Sequence, residues 1–95
     1  MAKIEEYIDF EKQAEIFKAL GHPTRLLLSY NLRKKELCVS ELNKLIDIDQ
    51  STLSRHLKIL KIAGVLKNQK KSMQVYYSLR VPCLLDNILE CINKL

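Results

Sequence analysis

Residues 47–60 read Asp47-Ile48-Asp49-Gln50-Ser51-Thr52-Leu53-Ser54-Arg55-His56-Leu57-Lys58-Ile59-Leu60, and this stretch decides the fold. Its leucines at positions 53, 57 and 60 have the spacing of one buried helix face. Asp49 is suited to cap a helix that begins at Gln50, and Gly64 is suited to end it. The opposite face carries side chains that donate and accept hydrogen bonds, namely Gln50, Ser51, Thr52, Ser54, Arg55 and Lys58. The stretch therefore predicts a helix with one buried face and one polar face.

Three further helices are predicted upstream of this one. The first covers residues 7–20, where apolar residues recur near helical spacing, and Gly21 ends it. A short extended segment over residues 37–39 precedes a brief third helix, for which Ser40 is a suitable cap. Between them, the second helix begins at Pro23, which suits a first turn, and its predicted buried face consists of Leu26, Leu27, Tyr30 and Leu32.

Downstream of Gly64 the sequence predicts a β-hairpin and a last helix. Residues 65–70 and 73–79 are extended runs around a turn at Lys70-Lys71-Ser72, and the second run is rich in β-branched and aromatic residues. Pro82 is predicted to open a helix that continues to residue 95. That helix is too apolar for a solvated end, so we expect a homodimer that packs through its first and last helices.

Length and charge set the class of protein. The chain has 95 residues, which we interpret as a single domain over residues 1–95. It carries 16 lysines and arginines against 11 acids, a net charge of +5. Six basic side chains and no acid lie between Arg55 and Lys71, which favours a polyanionic partner such as double-stranded DNA. No phosphate-binding glycine loop, paired-carboxylate motif or Cys/His pair with a recognisable base is present, so an enzyme is not expected.

The sequence also predicts where the protein works. Acidic residues at positions 5, 6 and 9 stand where a signal peptide would need an apolar core. No apolar run approaches the length of a membrane span, so no membrane partner is expected. We therefore expect a cytoplasmic protein whose three cysteines are reduced thiols.

The predicted architecture is mainly α with a small β-hairpin: five helices in a winged helix-turn-helix arrangement. In that arrangement the second helix of the motif enters the major groove of DNA. Gln50 can pair with adenine, Arg55 can pair with guanine or phosphate, and the methyl group of Thr52 can meet thymine. Ser51 and Ser54 are small enough to let the helix approach the DNA backbone. The predicted phosphate contacts are made by Lys58, Lys67, Lys70 and Lys71.

Two other interpretations fit the same residues. A polar helix face followed by lysines is also typical of a solvated surface. A winged helix can likewise be a protein-interaction module that does not read DNA. His56 on the predicted helix is assigned either to packing or to a phosphate contact, and not to catalysis.

Four segments resemble the ArsR/SmtB family of metal- and stress-responsive repressors: FKALGHPTRLLLSYNL (17–32), ELCVSEL (36–42), IDQSTLSRHLKILKIAGVL (48–66) and VYYSLR (75–80). The resemblance implies a winged-helix homodimer that binds a pseudo-palindromic operator and releases it when an inducer binds. It departs at the hairpin tip, where family members often have Gly-Arg and this chain has Lys70-Lys71-Ser72-Met73. The reading helix of the family is matched position by position at Gln50, Ser51, Thr52, Ser54, Arg55 and His56.

The same resemblance bears on the inducer. Family members that sense soft ions have a second thiolate two residues after the position of Cys38, where this chain has Ser40, and a common third at Asn43. One thiolate cannot supply the trigonal sulfur set of arsenite, so Cys38 is a metal ligand only in a site completed elsewhere. The region around Cys83 contains no histidine, so the zinc site of the family is expected to be absent.

Three interpretations of the cysteines stay open. Some of Cys38, Cys83 and Cys91 could sense arsenite, another soft metal, an oxidant or reactive sulfur. All three could be packing residues, because a free cysteine behaves as a small apolar side chain. The regulator could also lack an inducer. On one continuous helix Cys83 and Cys91 would lie about 12 Å apart, too far for one chain to join them. No cofactor is required, and As(III) or another soft metal is the candidate inducer.

Overall fold

The computed structural model describes residues 9–95 of the chain. It contains five α-helices and one three-stranded sheet, which confirms the predicted fold class. In chain order the elements are α1 (Phe10–Leu20), α2 (Pro23–Asn31), β1 (Leu37–Cys38), α3 (Val39–Leu45), α4 (Gln50–Ile62), β2 (Leu66–Lys71), β3 (Gln74–Leu79), a 3-10 helix (Pro82–Leu85) and α5 (Ile88–Asn93). Positions 7 and 8 of the predicted first helix lie outside the described residues.

One leucine-rich core holds these elements together. The stripe that the sequence predicts on α4 is fully buried, and it packs against leucines from α2, α3 and the sheet. Burial of each such side chain contributes about 1.5–3 kcal/mol of hydrophobic free energy. The core therefore fixes α4 by its apolar face and leaves its polar face outside. Its fully buried leucines are Leu28, Leu32, Leu42, Leu53, Leu57, Leu60 and Leu66.

The buried face of α2 differs from the prediction. Leu28, Ser29 and Leu32 are buried, whereas Leu27 and Tyr30 are 45% and 47% exposed. The helix begins at Pro23, as predicted, and the side chain of the residue before it accepts a hydrogen bond from its first turn. Leu28 and Leu32 are four residues apart and share one helix face, whereas Leu27 and Tyr30 are three residues apart and lie together on the opposite side of the helix.

The start of α3 also differs from the prediction. Cys38, not Ser40, is the cap residue, because its backbone N–H donates to the Glu41 Oε1 atom at 3.0 Å. This hydrogen bond lowers the pKa of Glu41, and a side-chain hydrogen bond from Cys38 adds to the effect. The extended segment ends one residue earlier than predicted, because β1 pairs with β3 only through Leu37 and Cys38.

The hairpin turn begins two residues further along the chain than predicted, at Ser72 instead of Lys70. β2 and β3 pair antiparallel up to Lys71 and Gln74, so the two turn residues are Ser72 and Met73. Both have positive φ angles, 48° and 67°, as a two-residue hairpin turn requires. Neither residue is a glycine, so both adopt a left-handed backbone conformation that residues with a side chain rarely adopt.

The last predicted helix is not continuous, which is a correction to the sequence analysis. A 3-10 helix covers Pro82–Leu85, and α5 begins only at Ile88. Between them stand Asp86 and Asn87, two residue types that favour caps and turns over helix interiors. Asn87 has φ −120°, outside helical geometry. The separation of about 12 Å for two cysteines on one continuous helix therefore does not apply.

Candidate nucleic-acid interface

The polar face of α4 is open to solvent at its N-terminal end. α3 and the connection of residues 46–49 lead into α4, which forms a helix-turn-helix. The structure places most of the predicted base- and phosphate-contacting residues of α4 on this exposed face, namely Gln50, Ser51, Ser54, Arg55 and Lys58. Because the buried leucines hold the opposite face, α4 can present this side to the major groove without unfolding.

Asp49 organises the first turn of α4. Its carboxylate accepts the backbone N–H of Thr52 at 3.1 Å and the Thr52 hydroxyl at 2.7 Å. It also accepts a hydrogen bond from the Ser51 hydroxyl. The hydrogen bonds from Ser51 and then Thr52 hold the pKa of Asp49 far below its usual value. The cap was predicted from sequence, but its bonds to both hydroxyls were not.

This cap restricts what the two hydroxyls can do. Each donates its only proton to Asp49, so toward DNA each is available as an acceptor only. Phosphate oxygens are acceptors too, so neither Ser51 nor Thr52 can donate to the DNA backbone while the cap is intact. The Thr52 methyl group does not take part in the cap, and the predicted contact with a thymine methyl is compatible with it.

His56 is turned toward α2 and is partly buried. Its Nδ1 atom lies 3.3 Å from the Arg25 Nη1 atom, and its ring centroid lies 4.6 Å from that of His22. His56 was assigned either to packing or to a phosphate contact, and these contacts within the protein favour packing. Arg25 did not emerge from the sequence, because it precedes His56 by 31 residues and no periodic pattern connects them.

The hairpin brings further positive charge beside α4, since α4 packs against β2. Lys67 and Lys70 lie on β2 and are exposed. Lys71 forms an ion pair with Glu36 and lies 5.8 Å from the centre of the Tyr76 ring. Glu36 partly offsets the charge of Lys71, and the predicted phosphate contact of this lysine would replace a solvent-exposed ion pair.

Comparison with known proteins identifies the family. A family model described as "Bacterial regulatory protein, arsR family" matches residues 22–68. The transcriptional repressor PagR of Bacillus anthracis is 35% identical over 92 residues, which cover 95% of this chain and 90% of that protein. The chain belongs to the ArsR family. It is a DNA-binding transcriptional repressor of the ArsR/SmtB type and not an enzyme, as the resemblance predicts.

Other ArsR-type proteins agree in sequence and in fold. A cadmium resistance regulatory protein CadC homolog of Staphylococcus aureus is 42% identical over 67 residues, 70% of this chain and 55% of that protein. The chain thus matches little more than half of the length of that relative. The solved structure of the repressor BigR from Xylella fastidiosa has a TM-score of 0.79 and 32% identity, covering 97% of this chain and 96% of that one. HlyU from Vibrio cholerae has a TM-score of 0.77 and 28% identity, covering 99% and 96%.

The three cysteines of this ArsR-family chain occupy different environments. Cys38 is buried, and its Sγ atom lies 3.1 Å from the Ser40 hydroxyl oxygen. Cys83 on the 3-10 helix and Cys91 on α5 are exposed. Within this protomer Cys38 is therefore a packing residue, whereas Cys83 and Cys91 are not. Across residues 9–95, no group of three or more His, Cys, Asp or Glu side chains is arranged to hold a metal ion.

No helix in the described part of the chain is both long enough and apolar enough to cross a membrane.

Proposed function

We propose that this ArsR-family repressor binds a pseudo-palindromic operator as a homodimer and that a thiol-reactive inducer releases it. The observation that carries the operator-binding role is the exposed polar face of α4, together with the exposed lysines Lys67 and Lys70 on β2, the hairpin strand that packs against α4. The N-terminal turn of α4 reads base edges in the major groove, and the lysines hold phosphates on either side. The residues assigned to this interface are Gln50, Ser51, Thr52, Ser54, Arg55, Lys58, Lys67 and Lys70.

Apolar surface at both ends of the chain supports the homodimer. Phe10 and Phe17 of α1 are seven residues apart, share one helix face and are 60% and 59% exposed. At the other end, Ile92 is 51% exposed and Leu95 is fully exposed. A two-fold dimer through α1 and α5 would cover both surfaces and place two copies of α4 on successive half-sites.

Replacing Phe17 with aspartate is expected to turn the dimer into monomers, because it introduces a charge into the proposed apolar contact. Sedimentation velocity at micromolar protein measures the change. Operator affinity should fall by roughly 10²-fold, because each monomer then binds its half-site alone. Leu45→Asp is the matched control, since Leu45 is a 55% exposed leucine on α3, outside the proposed contact through α1 and α5. A monomeric wild-type protein would refute the dimer.

The accessible thiols support release by a thiol-reactive agent. Thiol reactivity requires access, and Cys83 and Cys91 have it while Cys38 is buried. In the single protomer, Cys91 lies on α5 next to Ile92 and Cys83 lies on the preceding 3-10 helix, so both are close in sequence to the apolar C-terminal segment assigned to the dimer contact. A soft ion held by thiolates there, or a disulfide formed when an oxidant accepts two electrons from two thiols, would change the spacing of the two α4 helices. We assign the inducer to arsenite, another soft metal, an oxidant or reactive sulfur.

Fluorescence anisotropy of a labelled duplex from upstream of its own gene tests both parts of this proposal. Reduced protein should bind tightly, and one of arsenite, peroxide or polysulfide should release it. Cys83→Ser or Cys91→Ser should abolish the release, while Cys38→Ser should retain it. Tight binding that none of these agents affects would refute the thiol inducer. No binding at low salt would refute the repressor mechanism and favour a protein-interaction module.

A further inference from the structure

A cluster of three side chains connects α4 to the rest of the protein behind its DNA-facing surface. His56 of α4 lies between His22, the cap residue of α2, and Arg25 in the first turns of α2. The two imidazole rings are 4.6 Å apart and tilted by 44°. Arg25 also donates its Nε proton to the Ala19 carbonyl at 2.5 Å. One guanidinium therefore ties together the end of α1, the start of α2 and the middle of α4.

The contact between Arg25 and His56 fixes the protonation state of the histidine. Arginine has only donors, so the His56 Nδ1 atom at 3.3 Å from Arg25 Nη1 must be the acceptor. A neutral imidazole with its proton on Nε2 meets this requirement. A protonated imidazole carries a hydrogen on both nitrogens and cannot accept. Protonation of His56 and its hydrogen bond with Arg25 therefore exclude each other.

The charges around His56 oppose its protonation. Burial lowers the pKa of His56, and His22, Arg25 and Arg55 lower it further by repulsion. No acid is among the groups that act on it. Of the other elements packed against α4, α1 contributes Glu15 and Lys18 to the groove that Arg25 also lines, and α3 carries Glu41 and Lys44. The strand β2 carries only positive groups, namely Lys67, Lys70 and Lys71.

We propose that Arg25 and His56 are positioning residues that hold α4 at its DNA-reading angle, and that protonation of His56 weakens operator binding by breaking their hydrogen bond. The inference rests on the proposed operator-binding function and deepens it. His56 then acts through α2 and does not touch the DNA. When His56 is protonated, its positive charge faces the Arg25 guanidinium across the contact between α2 and α4, and α4 loses its connection to α1 and α2.

The pH dependence has a definite sign. Because the folded-state pKa of His56 is below the ordinary histidine value of 6.5, the unfolded chain takes up the proton first as pH falls. The stabilising contact is fully present above about pH 6.5 and is lost as pH falls through the lowered folded-state pKa. A histidine that contacted phosphate would behave in the opposite way, since its protonation would add an attractive charge and tighten DNA binding.

Anisotropy titrations of the wild-type protein on an operator duplex, at constant ionic strength from about pH 8 down to the pH at which NMR of the free protein shows His56 protonated, distinguish these roles. We expect affinity to fall by about three- to tenfold on acidification, as for the loss of one hydrogen bond. His56→Gln keeps an acceptor without a titrating group, so it should bind like the wild type and lose the acid-induced fall. His22→Asn keeps a cap acceptor and should retain the fall. Circular dichroism at each pH checks that the proteins are folded.

An affinity that rises on acidification in the wild type and not in His56→Gln would overturn the proposal and assign His56 to phosphate. A wild-type affinity that does not change with pH would also overturn it. An NMR titration of the imidazole carbon-bound protons in the free protein separates the contact from the DNA function. Arg25→Gln should raise the pKa of His56 there, and an unchanged pKa would refute the contact. If no duplex binds at any pH while this shift is observed, the contact stands and the operator-binding function fails.

Discussion

Replacing Arg55 with alanine is expected to reduce affinity for the operator by about 1–3 kcal/mol per half-site, or roughly 5- to 150-fold. Arg55 is exposed on the polar face of α4, one turn from the capped N-terminus, where its guanidinium can reach two acceptors of a guanine. The change removes these base contacts and leaves the core unaltered. Anisotropy on a site selected from random duplexes, compared with a scrambled duplex, measures the effect.

Lys61→Ala is the matched control for this prediction. It removes the same charge from an exposed position in the last turn of α4, away from the base-reading end. It should weaken binding to the selected and the scrambled duplex by similar factors, because only the general attraction to phosphate changes. If Arg55→Ala also weakened both duplexes equally, Arg55 would be a phosphate contact and its base-reading role would be wrong.

Replacing Leu57 with alanine is expected to lower the free energy of unfolding by about 2–5 kcal/mol. Leu57 has no solvent exposure and lies in the centre of the α4 stripe, where a missing isopropyl group leaves a cavity. A domain of this size has a stability of about 5–15 kcal/mol, so the loss is a large part of the total. Urea unfolding at a fixed protomer concentration measures it, because the proposed dimerisation would make the stability depend on concentration.

The neighbouring exposed residue provides the control for Leu57. Lys58→Ala lies on the solvent side of the same helix turn and should change the unfolding free energy by no more than about 0.5 kcal/mol. Similar losses for Leu57→Ala and Lys58→Ala would mean that the position of α4 does not depend on its leucine stripe.

The features that the sequence predicts well depend on neighbouring residues. Asp49 begins α4 and Gly64 follows its end with a φ of +88°, because capping and left-handed backbone geometry are properties of a few adjacent residues. The buried leucines of α4 follow from helical periodicity alone. For the same reason the two strands and the entry to α2 at Pro23 were predicted nearly correctly.

The features that the sequence does not predict depend on distant residues or on small differences in local preference. The Lys71–Glu36 and Arg25–His56 contacts join residues 35 and 31 positions apart, and the tertiary fold alone brings them together. The helix breaks at Asp86 and Asn87 because the turn preference of these two residues outweighs the apolar pattern, which continues on both sides of them. Because of this break, Cys83 and Cys91 lie on two separate helices, and both are exposed instead of packed within an apolar helix.

The ratio of affinities for the selected operator and a scrambled duplex, measured at physiological salt and then across a salt series, tests the central claim most directly. We predict that the dimer binds the operator at least about 10³-fold more tightly than the scrambled duplex. Neutralising Lys67 and Lys70 together should weaken binding to both duplexes and flatten the salt dependence. Equal affinities for the two duplexes would contradict sequence reading by α4.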